Sequence, residues 1–444
     1  MGVIVIGAGA AGLAALHTLR TAGVDAICLE ASDRAGGRAA SLRRDGFILD
    51  TGAQFFFRYY DTCFGLCREL GLGGDILPFP FRAGLPDLEP RNRVTPVLAT
   101  IRPKTWPRTL LDLVGFRGVS LRSVRELLPL IPTLAARHGQ LRFTRAADTL
   151  DLDTENLAAY TLRRCGKEAL ERIIQPVASC MTLGEPEEMA AGYGLALLWY
   201  MVNGLFTLRN GIGSISERLH ETHRDRVRFS APVKRIVIEK NAVKGVETAS
   251  GFMQADAVVC AVTATQALKL MPGLPQSLAG PLRTATYSQC CHVMFGLEKR
   301  LLPRGWYAIA LPRRSGSPMA GFTDSSIKSP AYAPAGAGLV HCFTYGRHAA
   351  EMMNMKDDAV VRALTADIRR YAPSMPDRPL FTEVCRYREA VCTAPAGMLT
   401  AMQRMKEHGY RDVRGLALAG EYLHMPSVDG ALRSGIDAAE SLLA

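Results

Sequence analysis

The chain has 444 residues, which suffices for two or three domains, and its composition of 48% hydrophobic and 21% charged residues is that of an ordinary globular protein. Its net charge of +11 is unevenly distributed, and no nucleic-acid-binding module accompanies it, which excludes nucleic acid as an expected partner. The eleven cysteines are scattered without zinc or thioredoxin spacing, which indicates reduced thiols in a cytoplasmic protein and no metal site.

The first predicted elements form a nucleotide-binding turn. A strand over Val3–Ile6 and a helix over Ala10–Arg20 flank glycines at G-x-G-x-x-G spacing, namely Gly7, Gly9 and Gly12. Glycines at these places allow the sharp turn, the approach of the backbone to a pyrophosphate, and the packing of the helix on the strand. The apolar start is therefore interpreted as this strand, and we expect no targeting segment.

The next segments supply an acid and a second glycine pair. The predicted strand DAICLE ends at Glu30, 18 residues after Gly12, where a carboxylate accepts hydrogen bonds from ribose hydroxyls. EASDRAGGRAAS then places two glycines beside Arg38, and DGFILDTGAQFFF adds a short strand followed by Gly52. Backbone donors beside a fixed cation suit a bound pyrophosphate.

A basic region follows between residues 82 and 146. It holds 12 lysines and arginines against 4 acidic residues, which is +8 of the total charge, and it includes the apolar helical segments TLLDLVGF and SVRELLPLIPTLAARHG. Such a region is typical of contact with a membrane surface, an acidic carrier protein or an anionic substrate. The alternatives left open are a solvated cationic face and a peripheral position on the inner face of a membrane.

In these motifs the sequence resembles the flavin-containing amine oxidoreductase superfamily, which includes amine oxidases, protoporphyrinogen oxidase and carotenoid desaturases. The resemblance continues in TLRNGIGSISERLHE, in VRFSAPVKRIVIEKNAVKGVETASG and in the terminal LALAGEYLHMPSVDGALRSGIDAAESLLA. It implies FAD, bound non-covalently because EYLHMPSVDGA lacks the family's linking cysteine, with His424 as a minor covalent candidate. The positions that the resemblance implies for FAD binding are Gly7, Gly9, Ala10, Ala11, Gly12, Glu30, Ala31, Arg34, Gly37, Arg38, Gly52, Ala53, Gln54, Val233, Gly420, Glu421, Ser427, Val428, Gly430 and Ala431.

The implied fold is α/β. A doubly wound, Rossmann-type FAD domain is assembled from residues 1–80, 206–275 and 410–444, and a substrate domain with a mixed sheet and helices from 81–205 and 276–409. The 20 uncharged residues Met189–Leu208 are formally long enough to span a membrane, but their glycines and Asn203 favour a buried helix followed by a strand. No second G-x-G-x-x-G follows a strand, so O2 or a quinone is expected as the electron acceptor rather than a nicotinamide.

Three local comparisons within the family bear on the chemistry. Amine oxidases of the family carry a lysine on a strand under the flavin, whereas no lysine lies between Lys269 and Lys299, and the alignment places Cys291 near that position. ENLAAYTLRRCGKEALERIIQPVASCMTLGEPEEMAA is similar to a segment of protoporphyrinogen oxidases. VCRYREAVCTAPAGML resembles the family's W-x-x-A-x-P stretch, with Tyr387 in place of the aromatic residue and Cys392 in place of the proline.

These comparisons favour a small-molecule substrate with a cyclic nitrogen-containing or apolar ring, which is desaturated by removal of a hydride from a C–N or C–C bond. An amine oxidase acting on an open-chain amine with O2 is the close alternative, and a non-redox binder of the GDP-dissociation-inhibitor type is a remote one. No catalytic base is assigned, and His220 and His223 are expected to be exposed. The candidates for the substrate pocket are Phe55, Phe56, Trp199, Tyr200, Cys291, Tyr387 and Tyr422.

Overall fold

The computed structural model describes residues 2–79, 82–86, 94–99, 121–201, 203–408 and 412–444. The strands, numbered in chain order, are β1 Gly2–Ile6, β2 Asp25–Leu29, β3 Ser41–Arg44, β4 Phe47–Asp50, β5 Phe56–Phe57, β6 Ile76–Phe79, β7 Arg82–Pro86, β8 Val94–Ala99, β9 Leu205–Leu208, β10 Val227–Arg228, β11 Val233–Glu239, β12 Ala242–Thr248, β13 Gly251–Gln254, β14 Ala257–Cys260, β15 Cys290–Leu297, β16 Ala308–Ala310, β17 Met319–Asp324, β18 Gly338–Thr344, β19 Phe381–Tyr387 and β20 Leu416–Leu418. The α-helices are α1 Ala10–Thr21, α2 Asp61–Glu69, α3 Leu121–Leu127, α4 Leu130–Arg137, α5 Leu157–Arg164, α6 Lys167–Ala169, α7 Gln175–Thr182, α8 Ala191–Met201, α9 Ser214–Thr222, α10 Ala264–Leu270, α11 Gln276–Thr284, α12 Gly346–Met352, α13 Asp357–Arg369, α14 Met398–His408 and α15 Val428–Leu443.

A parallel sheet with the order β10-β2-β1-β14-β20 forms the base of the molecule. Its central strands β1 and β14 are almost entirely buried, because a parallel sheet is covered on both faces and its strands are therefore apolar throughout. Helices α1 and α15 pack together on it, and only glycine fits at Gly435, where a Cβ would lie 2.0 Å from the carbonyl oxygen of Ala11. The strands come from both ends of the chain and from residues 227–260, and the predicted domain boundaries themselves stay a prediction.

A mixed sheet with the order β19-β15-β18-β17-β16-β7-β8 forms the second unit, and its neighbouring strands are antiparallel except for β16 and β7. One face of this sheet packs against apolar side chains of α12 and α13, such as Met352 and Leu364. The other face is turned toward the parallel sheet. The parallel and mixed sheets together confirm the predicted α/β class.

The segment Met189–Leu208 contains the buried helix α8 followed by strand β9, as the sequence predicted. Among the residues that the structure describes, no helix is long and apolar enough to cross a membrane. Much of the basic region between residues 82 and 146, including its segment TLLDLVGF, lies outside the described residues.

Candidate active site

A cavity of about 670 Å³ runs between the two sheets, from the glycine turn after β1 to an apolar chamber formed by α7, α8, β16 and β17. The cavity is lined by three kinds of group in succession. The turn contributes backbone and a few charged side chains, the middle contributes the segment that follows β4, and the far end contributes aliphatic and aromatic side chains. Each part is built differently and is described in turn.

The glycine turn places backbone atoms directly on the cavity. Gly7 has a φ of 99°, which favours glycine, and a Cβ on Gly12 would lie 1.8 Å from the carbonyl oxygen of Gly7. A Cβ on Gly9 would meet no protein atom within 4 Å, although Gly9 lines the cavity. The turn is therefore closed on its inner side and open toward the cavity, which is the shape that a bound pyrophosphate requires.

Glu30 is held in place at the end of β2. One carboxylate oxygen, Oε2, accepts a hydrogen bond of 2.6 Å from the backbone N–H of Ala8, and the other, Oε1, accepts from the N–H and hydroxyl of Ser32. The carboxylate lines the cavity beside the turn. It is thus oriented by the backbone to accept hydrogen bonds from a ribose.

Arg38 and Glu421 tie the two ends of the chain together across the cavity. The guanidinium donates to both carboxylate oxygens, with distances of 2.6 and 2.7 Å, and both side chains line the cavity. This bidentate geometry is the strong form of an ion pair, and it fixes the orientations of the guanidinium and carboxylate groups. It places a cation and an anion at the edge of the dinucleotide part of the cavity.

Helix α15 points its N-terminus at the middle of the cavity. Ser427 caps the helix by accepting from the backbone N–H of Gly430 at 2.9 Å, and Ser427, Val428 and Ala431 line the cavity. The N-terminus of a helix carries a partial positive charge, which stabilises negative charge placed before it. Together with the open glycine turn and the oriented Glu30, this fits a dinucleotide whose reactive ring accepts electrons.

The far end of the cavity is lined mainly by apolar side chains, and the residues that the structure describes place no ionised side chain there. Its walls are Phe57, Val177, Cys180, Met181, Leu183, Leu197, Met201, Tyr307, Ile309 and Phe322. Among the described lining residues, the charged side chains are Glu30, Arg34, Arg38 and Glu421, all of which belong to the dinucleotide part. His292 also lines the cavity, and burial lowers its pKa to about 4, so that its ring is neutral at pH 7.

Strand β15 shows which cysteine reaches the cavity. Successive side chains of a strand point to opposite faces, and Cys290 and His292 line the cavity whereas Cys291 packs on the other face against α13. The sequence alignment was therefore displaced by one residue at Cys291, and a displacement of one residue in a strand exchanges its two faces.

The structure divides the remaining pocket candidates. Phe55 and Tyr387 line the cavity. Phe56, Tyr200 and Tyr422 are fully buried behind its wall, and the Tyr200 ring lies 4.8 Å from that of Phe143. Trp199 faces away from it, with its ring centroid 5.7 Å from that of His138.

Most of the positions implied for FAD binding also come together on the cavity. Those that line it are Gly7, Gly9, Ala10, Ala11, Glu30, Arg34, Gly37, Arg38, Gly52, Ala53, Gln54, Gly420, Glu421, Ser427, Val428 and Ala431. Those that do not are Gly12, Ala31, Val233 and Gly430, of which Gly12 and Gly430 are needed by close backbone packing instead.

The structure bears on two expectations about histidines. His220 and His223 are half-buried rather than exposed, and His223 Nε2 lies 2.9 Å from His17 Nδ1. His424 is buried and its Nε2 lies 2.9 Å from an Asp437 carboxylate oxygen, outside the cavity lining. Among the described residues no group of three or more side chains could hold a metal ion.

Sequence reasoning missed several residues of the cavity. His292 could have been found from the alternation of β15, once Cys290 was placed on the cavity face. Tyr60, Tyr193 and Cys180 come from helices or their ends, and no local signal separates them from core residues. Their place depends on how distant helices meet.

A glycine turn with an oriented acid, joined by one cavity to an apolar chamber, is the arrangement expected of the class of dinucleotide-binding oxidoreductases. The comparisons with known proteins make this specific: a model of the family described as flavin containing amine oxidoreductase matches residues 10–443. The chain belongs to the flavin-containing amine oxidoreductase family.

The chain is similar both to protoporphyrinogen oxidases and to amine oxidases. The chain is 29% identical over 197 residues to mitochondrial protoporphyrinogen oxidase of Nicotiana tabacum, covering 44% of this chain and 36% of that protein. It is 25% identical over 302 residues to amine oxidase [flavin-containing] B of Homo sapiens, covering 62% of this chain and 52% of that one. The chain thus spans about a third to a half of the length of these relatives. A solved structure of putrescine oxidase bound to putrescine has the same fold, with a TM-score of 0.76, 19% identity and coverage of 100% and 99% of the two chains.

Proposed function

We propose that the protein binds FAD non-covalently and removes a hydride from a C–N or C–C bond of an uncharged cyclic substrate, which is thereby desaturated. The observation that carries the proposal is the cavity itself. One end offers backbone donors, an oriented carboxylate and a helix N-terminus, and the other end offers apolar walls that carry no ionised side chain in the described part of the chain. A bound flavin supplies a two-electron acceptor at the junction of the two ends.

The protein's own residues have three tasks in this proposal. The glycine turn, Glu30 and the pair Arg38–Glu421 bind and orient the dinucleotide. Phe55 and Tyr387 wall the middle of the cavity, and Leu197 and Met201 close the far end, which excludes water from the path of the hydride. The N-terminus of α15 favours the negative charge that develops on electron transfer.

The absence of charge at the far end favours ring compounds over open-chain amines. An aliphatic amine is protonated at pH 7, and an ammonium group that enters an apolar chamber without a carboxylate loses its hydration with no compensating partner. Among the described lining residues the chamber holds no aspartate or glutamate. A neutral ring suffers no such penalty and gains from apolar contact.

Non-covalent binding and the acceptor complete the proposal. His424, the covalent candidate, is engaged with Asp437 away from the cavity. The thiols Cys290 and Cys392 line it, but burial raises the pKa of both, which keeps them protonated and poorly nucleophilic. Since the sequence contains a single glycine turn of this type, we propose O2 or a quinone as the electron acceptor.

The test is anaerobic bleaching of the flavin absorbance in the purified protein. The substrate panel contains open-chain primary amines, cyclic amines, and reduced pyrrole or porphyrin compounds. Bleaching by the reduced pyrrole or porphyrin compounds alone supports the proposal, because cyclic amines are protonated at pH 7 and should behave as open-chain amines do. Bleaching by open-chain amines supports amine oxidation instead, and a folded protein that takes up no FAD contradicts the proposal altogether. Release of intact FAD on acid precipitation tests the non-covalent attachment.

We further propose that the segment from α3 to Arg145 docks on an anionic membrane surface, from which an apolar substrate enters. Residues 121–146 contain five arginines and one glutamate. Leu128 and Ile131, at the junction of α3 and α4, are 52% and 60% exposed. Exposed apolar side chains beside arginines are typical of helices that lie in a membrane interface.

The same segment packs against the walls of the cavity. Phe143 stacks on Phe57, a wall residue, with ring centroids 5.8 Å apart. Flotation with anionic liposomes at low salt is expected to carry the protein, and high salt is expected to release it because the surface charges are screened. Leu128→Ser with Ile131→Ser should weaken flotation, whereas Phe252→Ser, which removes an equally exposed side chain elsewhere (55%), should leave it unchanged. No flotation of the wild type at low salt contradicts the membrane proposal and leaves an acidic carrier protein as the partner to examine.

A further inference from the structure

Lys328 is a buried lysine whose two side-chain hydrogen bonds both go to one segment of the cavity wall, and its Nζ also lies 5.0 Å from the centre of the Tyr332 ring. It lies just after a turn of 3₁₀ helix, Ser325–Ile327, that follows β17, and its side chain is fully buried. Its Nζ lies 3.0 Å from Asp50 Oδ2 and 3.0 Å from Gln54 Oε1. Asp50 ends β4, and residues 51–55 line the cavity. Lys328, which comes from the mixed-sheet unit, thus holds residues 50–54 in place in the middle of the cavity wall.

The carboxylate of Asp50 is fully engaged by this arrangement. Its Oδ1 accepts from the Ser41 hydroxyl at 2.7 Å and from the backbone N–H of Ile212 at 2.9 Å. Its Oδ2 accepts from Lys328 and, at 2.7 Å, from the hydroxyl of Tyr332. Four donors from separate parts of the chain converge on one buried carboxylate, so that each fixes the position of β4's end.

Gln54 connects Lys328 to the backbone of the cavity wall through hydrogen bonds. Its Oε1 accepts from Lys328, and its Nε2 donates to the carbonyl oxygens of Asp50 and Gly52, at 2.9 and 3.0 Å. A Cβ at Gly52 would lie 2.1 Å from the carbonyl oxygen of Arg38, so the backbone here has little room to move. The orientation of residues 50–54 therefore depends on Gln54, which depends on Lys328.

His292 holds the same segment from the other side. Its Nδ1 lies 2.7 Å from the carbonyl oxygen of Thr51, which can only accept, so Nδ1 carries the proton. In the neutral ring Nε2 is then an acceptor, and it lies 3.0 Å from Nδ1 of His341, which must donate. The ring of His292 is fixed between two partners and is neutral, so Lys328 and Asp50 form the ionisable pair of this contact region; burial lowers the pKa of Lys328, and the Asp50 carboxylate at 3.0 Å opposes that shift.

We infer that Lys328 is a positioning residue that sets the affinity and the reduction potential of the bound flavin by holding the segment Asp50–Gln54. The inference rests on the proposed binding of FAD in this cavity. A buried ion pair stabilises a fold no better than apolar residues of similar size, so a fully buried lysine at this place is explained by what it orients. The paired charges of Lys328 and Asp50 also stand directly behind the cavity wall, where an unbalanced charge acts on electrons arriving in the cavity.

The direction of the electrostatic effect separates this role from a merely structural one. Removal of the Lys328 cation leaves the Asp50 anion behind the wall, which disfavours added electrons and lowers the flavin's midpoint potential. Removal of the Asp50 charge leaves the cation and raises that potential. Loss of packing alone has no reason to shift the potential in opposite directions in the two variants.

The experiment measures FAD affinity by titration of the apoprotein and the midpoint potential by equilibration with reference dyes. We expect Lys328→Met to weaken FAD binding by about tenfold or more, because Gln54 and Asp50 each lose a buried donor. The midpoint potential should fall in Lys328→Met, rise in Asp50→Asn, and return toward the wild-type value in Lys328→Arg. Lys406→Met is the control, because Lys406 is a half-buried lysine near Asp437 and outside the cavity lining, and its removal should change neither quantity.

Gln54→Leu keeps the inference testable where Lys328→Met does not fold, since it removes the amide link and leaves the ion pair. It should weaken FAD binding as well, with a smaller shift of the potential. Equal FAD affinity and equal potential in the wild type and Lys328→Met overturn the inference, and so do equal losses in Lys328→Met and Lys406→Met. A wild type that binds no FAD overturns the proposed function itself, which distinguishes the two failures.

Discussion

The two ends of the cavity are built from different material. The dinucleotide end is made of backbone at Gly7, Gly9 and Gly37, of charged side chains that are individually oriented, and of a helix N-terminus. The chamber at the far end is made of side chains from α7, α8, β16 and β17, which carry no charge among the described residues. In the proposed function, the first end would recognise phosphate and ribose through oriented donors and acceptors, whereas the second would select its substrate by size and charge.

This difference explains which part can vary. A backbone-lined site leaves few substitutions that keep its shape, because a Cβ fills the space that the ligand needs. A side-chain-lined chamber changes its selectivity with a single substitution while the fold persists. Substitutions at the two ends should therefore have different consequences.

Gly12→Ala should cause the largest loss. The added Cβ would lie 1.8 Å from the carbonyl oxygen of Gly7, so that helix α1 must separate from β1. We expect a loss of about 2–4 kcal/mol in the free energy of unfolding, together with loss of flavin. Thermal unfolding and the flavin-to-protein absorbance ratio measure both. Gly65→Ala, in α2 with open space around it, is the control and should be tolerated; equal behaviour of the two variants would contradict the close packing of the turn.

Gly9→Ala should separate binding from folding. The new Cβ meets no protein atom within 4 Å, and Gly9 has an ordinary φ of −76°, so the fold should keep its thermal stability as apoprotein. The methyl group projects into the place expected for the pyrophosphate, and FAD affinity should fall by about tenfold or more. FAD titration measures this loss. Unchanged affinity would mean that the dinucleotide does not lie against the turn.

Met181→Glu should change the selectivity of the chamber. The side chain lies on the chamber wall and is half-buried, so a carboxylate here offers a partner to an ammonium group. We expect cationic amines to gain and neutral ring compounds to lose about tenfold in affinity, as seen in perturbation of the flavin absorbance. Met181→Gln has the same shape without charge and should not favour amines. A wild type that already prefers amines would refute the neutral-substrate proposal.

Asp429→Asn should change how the stability of the fold depends on pH. Burial raises the pKa of Asp429 to about 7, and its Oδ1 accepts from the backbone N–H of Cys63 at 2.7 Å. Between about pH 4 and 7 the folded protein therefore keeps a proton that the unfolded chain releases, and stability falls as the pH rises through this window. An asparagine side chain at this position cannot titrate, so the variant's thermal midpoint should depend less on pH there. The exposed Asp45→Asn is the control, and an unchanged profile in Asp429→Asn would contradict the shift.

The sequence predicted many of the residues that line the first end of the cavity, because the geometry of that end is set by residues close together in the chain. Gly7, Gly9, Gly12 and Glu30 lie within a single β-α-β unit, whose turn length and handedness are fixed by local physics. The positions of Glu421 and Ser427 were predicted because the C-terminal segment contains a strand, a loop and the start of a helix in the order that the family shows. These elements are local, and their meeting with the first turn follows from the parallel sheet.

The chamber could not be predicted to the same degree. Its walls come from α7, α8 and β16, which are distant in sequence and meet only through the packing of the two units. Phe56 and Tyr200 are as aromatic as Phe55 and Tyr387, yet they point into the core, because sequence does not tell which face of a buried element meets a cavity. Lys328 carries no local signal at all, since its importance arises from Asp50, which precedes it by 278 residues.

The parallel sheet has a consequence for the synthesis of the protein. Strand β20 and helix α15 complete the sheet and its covering layer, and they are also the segments that bring Glu421 and Ser427 to the cavity. A ribosome releases them after some four hundred residues, when β1, α1 and β2 have long left the exit tunnel with their apolar faces unpaired. The cavity can therefore be completed only after residues 416–443 have been made, and a chain that stops before residue 416 lacks the last strand of the sheet and the helix that covers it.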